Sequence, residues 1–265
     1  METRVIYTVD CGNTRTKVGV WHNDRLMATR VWTGDEVSAD LEHMVQTYGR
    51  PQQCVYCSVS GNAAAALELA SIFGVPAFHV TGSECFPLDF DYTEDTLGVD
   101  RKVAAVGAAS RAGAHDTVLV VDVGTAVTYD LVEMRGLEPP VFRGGNIAPG
   151  IELRLRSLHE HTSRLPLVSP DGPVSLLGHT TEQAMRNGAV CGVVAEIEYY
   201  HGRMPAGTLL FLTGGGAPDV LPALPQATHT PDLMMRGLYR LYTYFEKSKE
   251  QGIYNIKPQD DKKEF

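Results

Sequence analysis

Hydrophobic residues fall along this chain in two matching bursts. Val5-Ile6-Tyr7-Thr8-Val9 runs into Asp10, crosses Cys11-Gly12-Asn13-Thr14, and resumes through Val18-Gly19-Val20-Trp21. Val118-Leu119-Val120-Val121 runs into Asp122, crosses Val123-Gly124-Thr125-Ala126, and resumes through Val127-Thr128-Tyr129-Asp130-Leu131-Val132. Apolar, largely β-branched runs on either side of a short Asp/Gly/Thr segment predict strand, tight turn and returning strand. Asp10 and Asp122 are 112 residues apart, as are Gly12 and Gly124. Self-similarity over a whole unit predicts two related halves more strongly than either short motif does.

The intervening pattern fills in an α/β plan. Arg25 to Val31 predicts a third strand. Leu41, Met44, Val45 and Tyr48 stand at helical spacing, and Gly49 and Pro51 end that helix. A short buried strand over Cys54–Val59, a small-residue helix over Ala63–Phe73 and a strand over Ala77–Val80 follow. Strands alternating with helices imply a sheet covered on its faces, which binds ligands at the carboxyl ends of its strands, where Asp10 falls. Thr81 to Thr96 is polar, turn-rich and aromatic, the pattern of a functional lid or a disordered segment. Gly98-Val99-Asp100-Arg101 opens a helix running to Ala112.

From Asp116 the plan repeats, with the hairpin, a strand over Val141–Ile147 and a helix over Ile151–His161. The longest helical pattern, Thr180–Tyr200, carries Gly188 and Gly192 four apart, which predicts tight helix packing or a subunit interface. Leu209–Leu212 is a buried strand ending in Thr213-Gly214-Gly215-Gly216, before a helix from Pro218. That turn is a seat for the adenosine part of a nucleotide, or a plain strand-to-helix turn. A last helix spans Asp232–Lys247. The expected division is an N-terminal half over 1–114, a C-terminal half over 115–247 and a charged, mobile or loosely docked tail over 248–265.

Composition narrows the classes. Charged residues are 21% and apolar ones 43% of the chain, ordinary for a soluble globular protein. No apolar run approaches the ~18 residues of a membrane span and no basic-then-apolar leader opens the chain, so a cytoplasmic protein is expected, without a membrane partner. A net charge of −9 argues against a nucleic-acid surface. Five cysteines without ligand or disulfide spacing are expected to be reduced and structural. His159 and His161, two apart on a helix, cannot share a face for a metal.

A carboxylate beside bare backbone donors at a hairpin tip suits phosphates and their cation. Taken singly, either hairpin is also explained as a turn closed by Asp-Gly. Taken as a pair, two facing tips form a cleft for a nucleoside triphosphate, with Asp10 ordering Mg²⁺ and Lys17 neutralising phosphate charge. No G-x-x-x-x-G-K-[ST] and no G-x-G-x-x-G occurs, so the hairpins must carry the phosphates. Asp100, at a helix start where the dipole favours its ionised form, is the best general base. Arg101 offers a planar fork to a carboxylate. Read alone, these two residues are more simply a helix N-cap and a surface arginine.

The chain resembles the type III pantothenate kinases, a branch of the superfamily of acetate and sugar kinases, heat-shock chaperones and actin. The matching residues are Asp10-Cys11-Gly12-Asn13-Thr14, Gly98-Val99-Asp100-Arg101, Asp122-Val123-Gly124-Thr125-Ala126, Gly144-Gly145-Asn146-Ile147-Ala148-Pro149-Gly150, Thr181 with Ala184-Met185, and Thr213-Gly214-Gly215. They stand in family order from position 5 to about 245. The resemblance implies duplicated actin-like (ribonuclease H-like) domains with a nucleotide cleft between them. It also implies ATP-dependent phosphorylation of pantothenate, the first step toward coenzyme A.

By the same carry-over, Asp10, Cys11, Gly12, Asn13, Thr14, Arg15, Thr16, Lys17 and Thr125 bind ATP, and Asp122 holds K⁺ or NH₄⁺. Asp100 is the base. Gly98, Val99, Arg101, Tyr92 and Thr181 contact pantothenate, Arg101 at its carboxylate and Thr181 from the neighbouring subunit of a homodimer. Cys11 departs from the family's usual aliphatic residue and Val99 from its usual small one. Two other readings stay open: an actin-fold kinase for another small hydroxy acid, and a non-catalytic regulatory relative on the same scaffold.

Overall fold

The computed structural model describes residues 4–12, 15–32, 37–58 and 64–251. Its elements run β1 (Val5–Cys11), β2 (Thr16–His22), β3 (Arg25–Trp32), α1 (Val37–Tyr48), β4 (Gln53–Ser58), α2 (Ala64–Phe73), β5 (Ala77–His79), β6 (Asp89–Phe90) and α3 (Val99–Ala109). The second half continues with β7 (Thr117–Val123), β8 (Ala126–Arg135), β9 (Glu138–Pro149), α4 (Ile151–Glu160), α5 (Thr181–His201), β10 (Leu209–Thr213), α6 (Ala217–Val220), β11 (Thr228–His229) and α7 (Leu233–Glu250).

The duplication is visible in the strand order. The first sheet reads β3-β2-β1-β4-β5 and the second β9-β8-β7-β10-β11, with β6 added at the edge beside β9. In each, three antiparallel strands are followed by two that lie parallel to the first. The strand-turn-strand expectation is met twice, with Asp10 opposite Lys17 and Asp122 opposite Thr128.

Alternation along the strands decides what faces what. In β1, Val5, Tyr7, Val9 and Cys11 pack with Leu41 and Met44 of α1 and Leu69 and Phe73 of α2. Ile6 packs the other way, with α3 and α7. In β7, Leu119, Val121 and Val123 pack with α4 and α5, while Val118 and Val120 pack with α3 and α7. The two sheets therefore share a central layer made of α3 and α7. Asp10 continues the series of Ile6 and Asp122 that of Val118 and Val120, so both carboxylates project toward this shared layer.

Two segments cross between the halves. Helix α7, last in sequence, returns to the first sheet: Trp21 stacks on Tyr239 at 4.2 Å, and Thr8 Oγ1 contacts Met235 Sδ at 3.3 Å. It passes α3 with backbones touching, since a Cβ on Gly107 would strike the Leu233 carbonyl and one on Gly237 the Val103 carbonyl. Strand β6 comes from the 81–96 segment and pairs parallel with β9 of the second sheet. That segment is docked, with Phe86 and Leu88 in the core. Each such fully buried side chain contributes about 1.5–3 kcal/mol.

Two expectations change in detail. Helix α7 runs to Glu250, into the stretch expected as tail, because Ser248 is buried and its hydroxyl donates to the Tyr244 carbonyl. Residues 252–265 lie outside the described residues. Of the Gly188 and Gly192 pair only Gly192 lies against a second helix, where a Cβ would stand 3.1 Å from Arg154 Nη1 on α4; a Cβ at Gly188 meets nothing within the subunit.

Candidate active site

The site assembles where β1, β7 and α3 converge. At the first tip the Gly12 N–H donates to the Arg15 carbonyl at 3.1 Å; at the second the Gly124 N–H donates to the Ala126 carbonyl at 2.9 Å. Asn13 and Thr14, expected to bind ATP, lie outside the described residues. Gly124 and Thr125 are exposed at the second tip, and Arg15 is exposed beside the first.

Electrostatics ties the tips together. Burial pushes the Asp10 carboxyl up to about 6, Lys17 opposes this, and Asp100 adds to it. Asp122 is likewise pushed up to about 6 by burial, against the pull of Lys17 and with the help of Asp10, Asp100 and Asp130. Two carboxylates on different sheets thus share one lysine and repel each other, as groups facing a common space do. The Cys57 thiol donates to Asp10 Oδ1 at 3.8 Å, and burial raises its own pKa well above the ordinary thiol value.

Glycines let the second half close on the second tip. Gly214 has φ +92°, and a Cβ there would collide with Asp122 and Val123. A Cβ on Gly150 would collide with the Gly124 and Thr125 carbonyls. Arg15 reaches across the gap: a Cβ on Gly215 would lie 3.2 Å from its Nη1. Thr213 pairs in register with Asp122, and its Oγ1 is the one buried side-chain N or O atom without a hydrogen-bond partner among the described residues.

Between the tips stands the start of α3, with Gly98 as its N-cap. Asp100 is partly buried, and its Oδ1 accepts the Arg101 N–H at 2.8 Å. Arg101 is not a surface arginine. It is 5% exposed, and Asp130 on β8, 1% exposed, takes its Nε (3.0 and 3.2 Å) and Nη2 (2.5 Å). Burial lowers the Arg101 pKa, but the bonds and charge of Asp130 and the Tyr92 phenol outweigh it and raise the pKa above its ordinary value. The Tyr92 and Phe142 rings lie 5.4 and 5.6 Å from its Cζ. Lys102, buried next door, donates to the Gly82 carbonyl at 2.7 Å and lies 5.4 Å from the Phe86 and Phe90 rings, so it holds the segment that carries Tyr92.

The structure brings Asp10, Lys17, Asp100, Arg101, Tyr92, Asp122 and Thr125 to one region. Thr181 is elsewhere. It opens α5, on the face of the second sheet opposite α3, and is exposed. Asp130 and Lys102 were not singled out from sequence, while Thr213 was named only as part of its turn and Cys57 only among the reduced cysteines. Each sits inside an otherwise apolar strand or helix pattern, and only the identity of its neighbour gives it a role. Among the described residues no group of three or more His, Cys, Asp or Glu is arranged to hold a metal ion. Chemically, the region offers two carboxylates of raised pKa that a cation would relieve, a lysine between them, a carboxylate at a helix start and a caged arginine. That set suits phosphoryl transfer to the hydroxyl of an acid.

Comparison with known proteins agrees. The sequence model of the type III pantothenate kinases matches residues 6–203. A type III pantothenate kinase of Flavobacterium psychrophilum is 32% identical over 245 residues, covering 91% of this chain and 99% of that protein. One from Azobacteroides pseudotrichonymphae is 34% identical, covering 90% and 96%. In structure, the chain resembles a Campylobacter jejuni protein assigned to the Baf family of transcriptional activators, with TM-score 0.59, 19% identity and coverage of 91% and 99%. It also resembles the ADPNP-bound activator of 2-hydroxyisocaproyl-CoA dehydratase from Clostridium difficile, with TM-score 0.54, 12% identity and coverage of 96% and 99%. The fold is the duplicated actin-like one. Among the described residues no helix is long and apolar enough to cross a membrane.

Proposed function

The chain belongs to the type III pantothenate kinase family and phosphorylates pantothenate with ATP on the way to coenzyme A, and we propose that it does so in the gap between its two hairpin tips, with Asp100 as the general base. The observation that carries this reading is the convergence of three aspartates from different elements: strand alternation turns Asp10 and Asp122 toward the α3/α7 layer, and the charge of Asp100 at the start of α3 raises the pKa of both.

In this mechanism the first tip binds the triphosphate through Arg15 and Lys17, and Thr125 meets the nucleotide from the second tip. Arg101 binds the pantothenate carboxylate and so points the opposite, hydroxyl end of the substrate at the γ-phosphate. Asp100 accepts the proton of that hydroxyl as the oxygen attacks phosphorus. Holding nucleophile and phosphate in line is most of what such an enzyme must do.

Two cations fit the donor chemistry. Asp10, ionised only at some electrostatic cost, suits Mg²⁺ with the nucleotide. Asp122, beside the unpartnered Thr213 hydroxyl, suits K⁺ or NH₄⁺. When bound, they neutralise charge that builds on the phosphate oxygens. Thr181 reaches pantothenate from a second subunit in a homodimer. The exposed apolar residues Leu176 and Leu177, just before α5, support an interface there.

The test is ADP release coupled to a reporter, with pantothenate as the varied substrate in Mg²⁺ plus K⁺ or NH₄⁺. Saturable, pantothenate-dependent turnover is expected. Asp100→Asn should cut kcat by about 10²–10⁴-fold while ATP still binds. Turnover that ignores pantothenate, or an Asp100→Asn enzyme with full activity, would overturn the mechanism.

A further inference from the structure

Arginine in the first turn of a helix is set against the helix dipole, and its long side chain has many rotamers to lose on burial. Arg101 nonetheless stands there, buried and in one orientation. We propose that Asp130 is a positioning residue for substrate recognition: it clamps the Nε–Nη2 edge of Arg101 so that the other edge of the fork meets the substrate carboxylate. The inference rests on the reading of Arg101 as the carboxylate contact and says what makes that contact selective.

Three features of the geometry point to a clamp. First, Asp130 engages two nitrogens of one edge, and a planar fork held at two points cannot turn about its bonds. Second, the space is shaped for it. Asp130 pairs in register with Gly145 on β9, and a Cβ on Gly145 would strike Asp130 and come within 2.7 Å of Arg101 Nη2. Third, the guanidinium is walled by Tyr92 and Phe142, whose rings stand at 90° to each other. Phe142 is fully buried, while Tyr92 is 37% exposed, so the wall is fixed on one side and open to a ligand on the other. A buried ion pair adds little net stability over apolar residues of the same volume, so a pair built this closely beside the proposed base is better explained by orientation.

The clamp predicts a split in the kinetics. Pantothenate is compared with its alcohol analogue, in which the terminal carboxylate is replaced by a hydroxymethyl group, in wild type, Asp130→Asn and Arg101→Met. Asp130→Asn should raise KM for pantothenate by about tenfold or more, with kcat moved less and KM for ATP held within about twofold. The preference for pantothenate over the alcohol, as a ratio of kcat/KM, should fall in Asp130→Asn to near the Arg101→Met value. If Arg101→Met loses the preference and Asp130→Asn keeps it, the clamp is refuted while the Arg101 reading stands. If Arg101→Met keeps the preference, the Arg101 reading fails and the clamp falls with it. Should Asp130→Asn not fold, Asp130→Glu carries the same test, because it keeps the charge but displaces the fork by one methylene. Its loss of preference is expected, and its retention refutes the clamp.

Discussion

At the first hairpin tip the Gly12 N–H donates to the Arg15 carbonyl, and Arg15 and Lys17, at the start of the returning strand, bring two cations. At the second tip, the turn is backed by Gly150 and Gly214, which approach so closely that neither has room for a Cβ, and the strand that leaves it brings no cation until Arg135. One ancestral frame has thus been used in two ways. The first copy carries two positive charges suited to phosphates. The second is a packed acidic corner, with Asp122 and an unpartnered threonine hydroxyl, suited to a cation. What they share is the direction of the aspartate, fixed by strand alternation toward the α3/α7 layer.

The largest expected effect breaks this contrast by adding one carbon to each tip. Gly150→Ala puts a methyl group into the Gly124 and Thr125 carbonyls, and should cost about 3 kcal/mol or more, a fall in Tm of about 6–12 °C. Gly12→Ala puts one 3.0 Å from the Arg15 carbonyl, which a small shift relieves, at about 1 kcal/mol or less. Thermal unfolding of both variants checks this, and equal falls would mean the tips are held alike.

Next comes pH. Asp10 and Asp122 hold their protons up to about 6 when folded, against 3.8 for the free group. The folded state therefore binds more protons between those values, and the ligand-free protein loses stability as pH rises from about 4 to about 6. The change is on the order of 3 kcal/mol for each group. Asp10→Asn and Asp122→Asn should each flatten the curve of stability against pH and stabilise the ligand-free protein at pH 7. An unchanged curve in either variant would remove that aspartate from the shared gap.

Lys17→Met sharpens the comparison further, because one lysine of the first hairpin serves both carboxylates. KM for ATP should rise about tenfold, and the acid limb of the pH–rate profile should move to higher pH as both carboxyls lose their counter-charge. A profile that does not move would mean that Lys17 does not face both halves. The smallest effect is expected at Gly188, where open space surrounds the position: Gly188→Ala should stabilise α5 by up to about 1 kcal/mol. A loss of activity with subunit dissociation would instead place Gly188 in an interface.

Much of this was legible in the sequence, for identifiable reasons. The two hairpins announce themselves because strand propensity, a turn residue and a repeat at constant spacing agree. Asp10 and Asp122 follow from their places at a strand end, whereas Asp100 at a helix start reads alone as an N-cap and becomes the base only through the family resemblance. The return of α7 to the first sheet was not legible, since an amphipathic helix shows that it has an apolar face but not what covers it. Asp130 was hidden for a related reason. An aspartate in a strand reads as a solvent-facing residue until a neighbour is known, and its neighbour is an arginine 29 residues away that itself reads as surface. The 81–96 segment looked like a lid because it is polar, and is docked because Phe86, Leu88 and the buried Lys102 tie it down.

The central claim is that both tips grip one nucleotide beside Asp100. A structure of the enzyme with Mg²⁺, a non-hydrolysable ATP analogue and pantothenate tests it most directly. The account predicts the triphosphate between the Asp10–Lys17 strand end and the Asp122–Thr125 turn, with the pantothenate hydroxyl at Asp100 and its carboxylate at Arg101. A nucleotide held by one hairpin alone, or a hydroxyl directed away from Asp100, would contradict it.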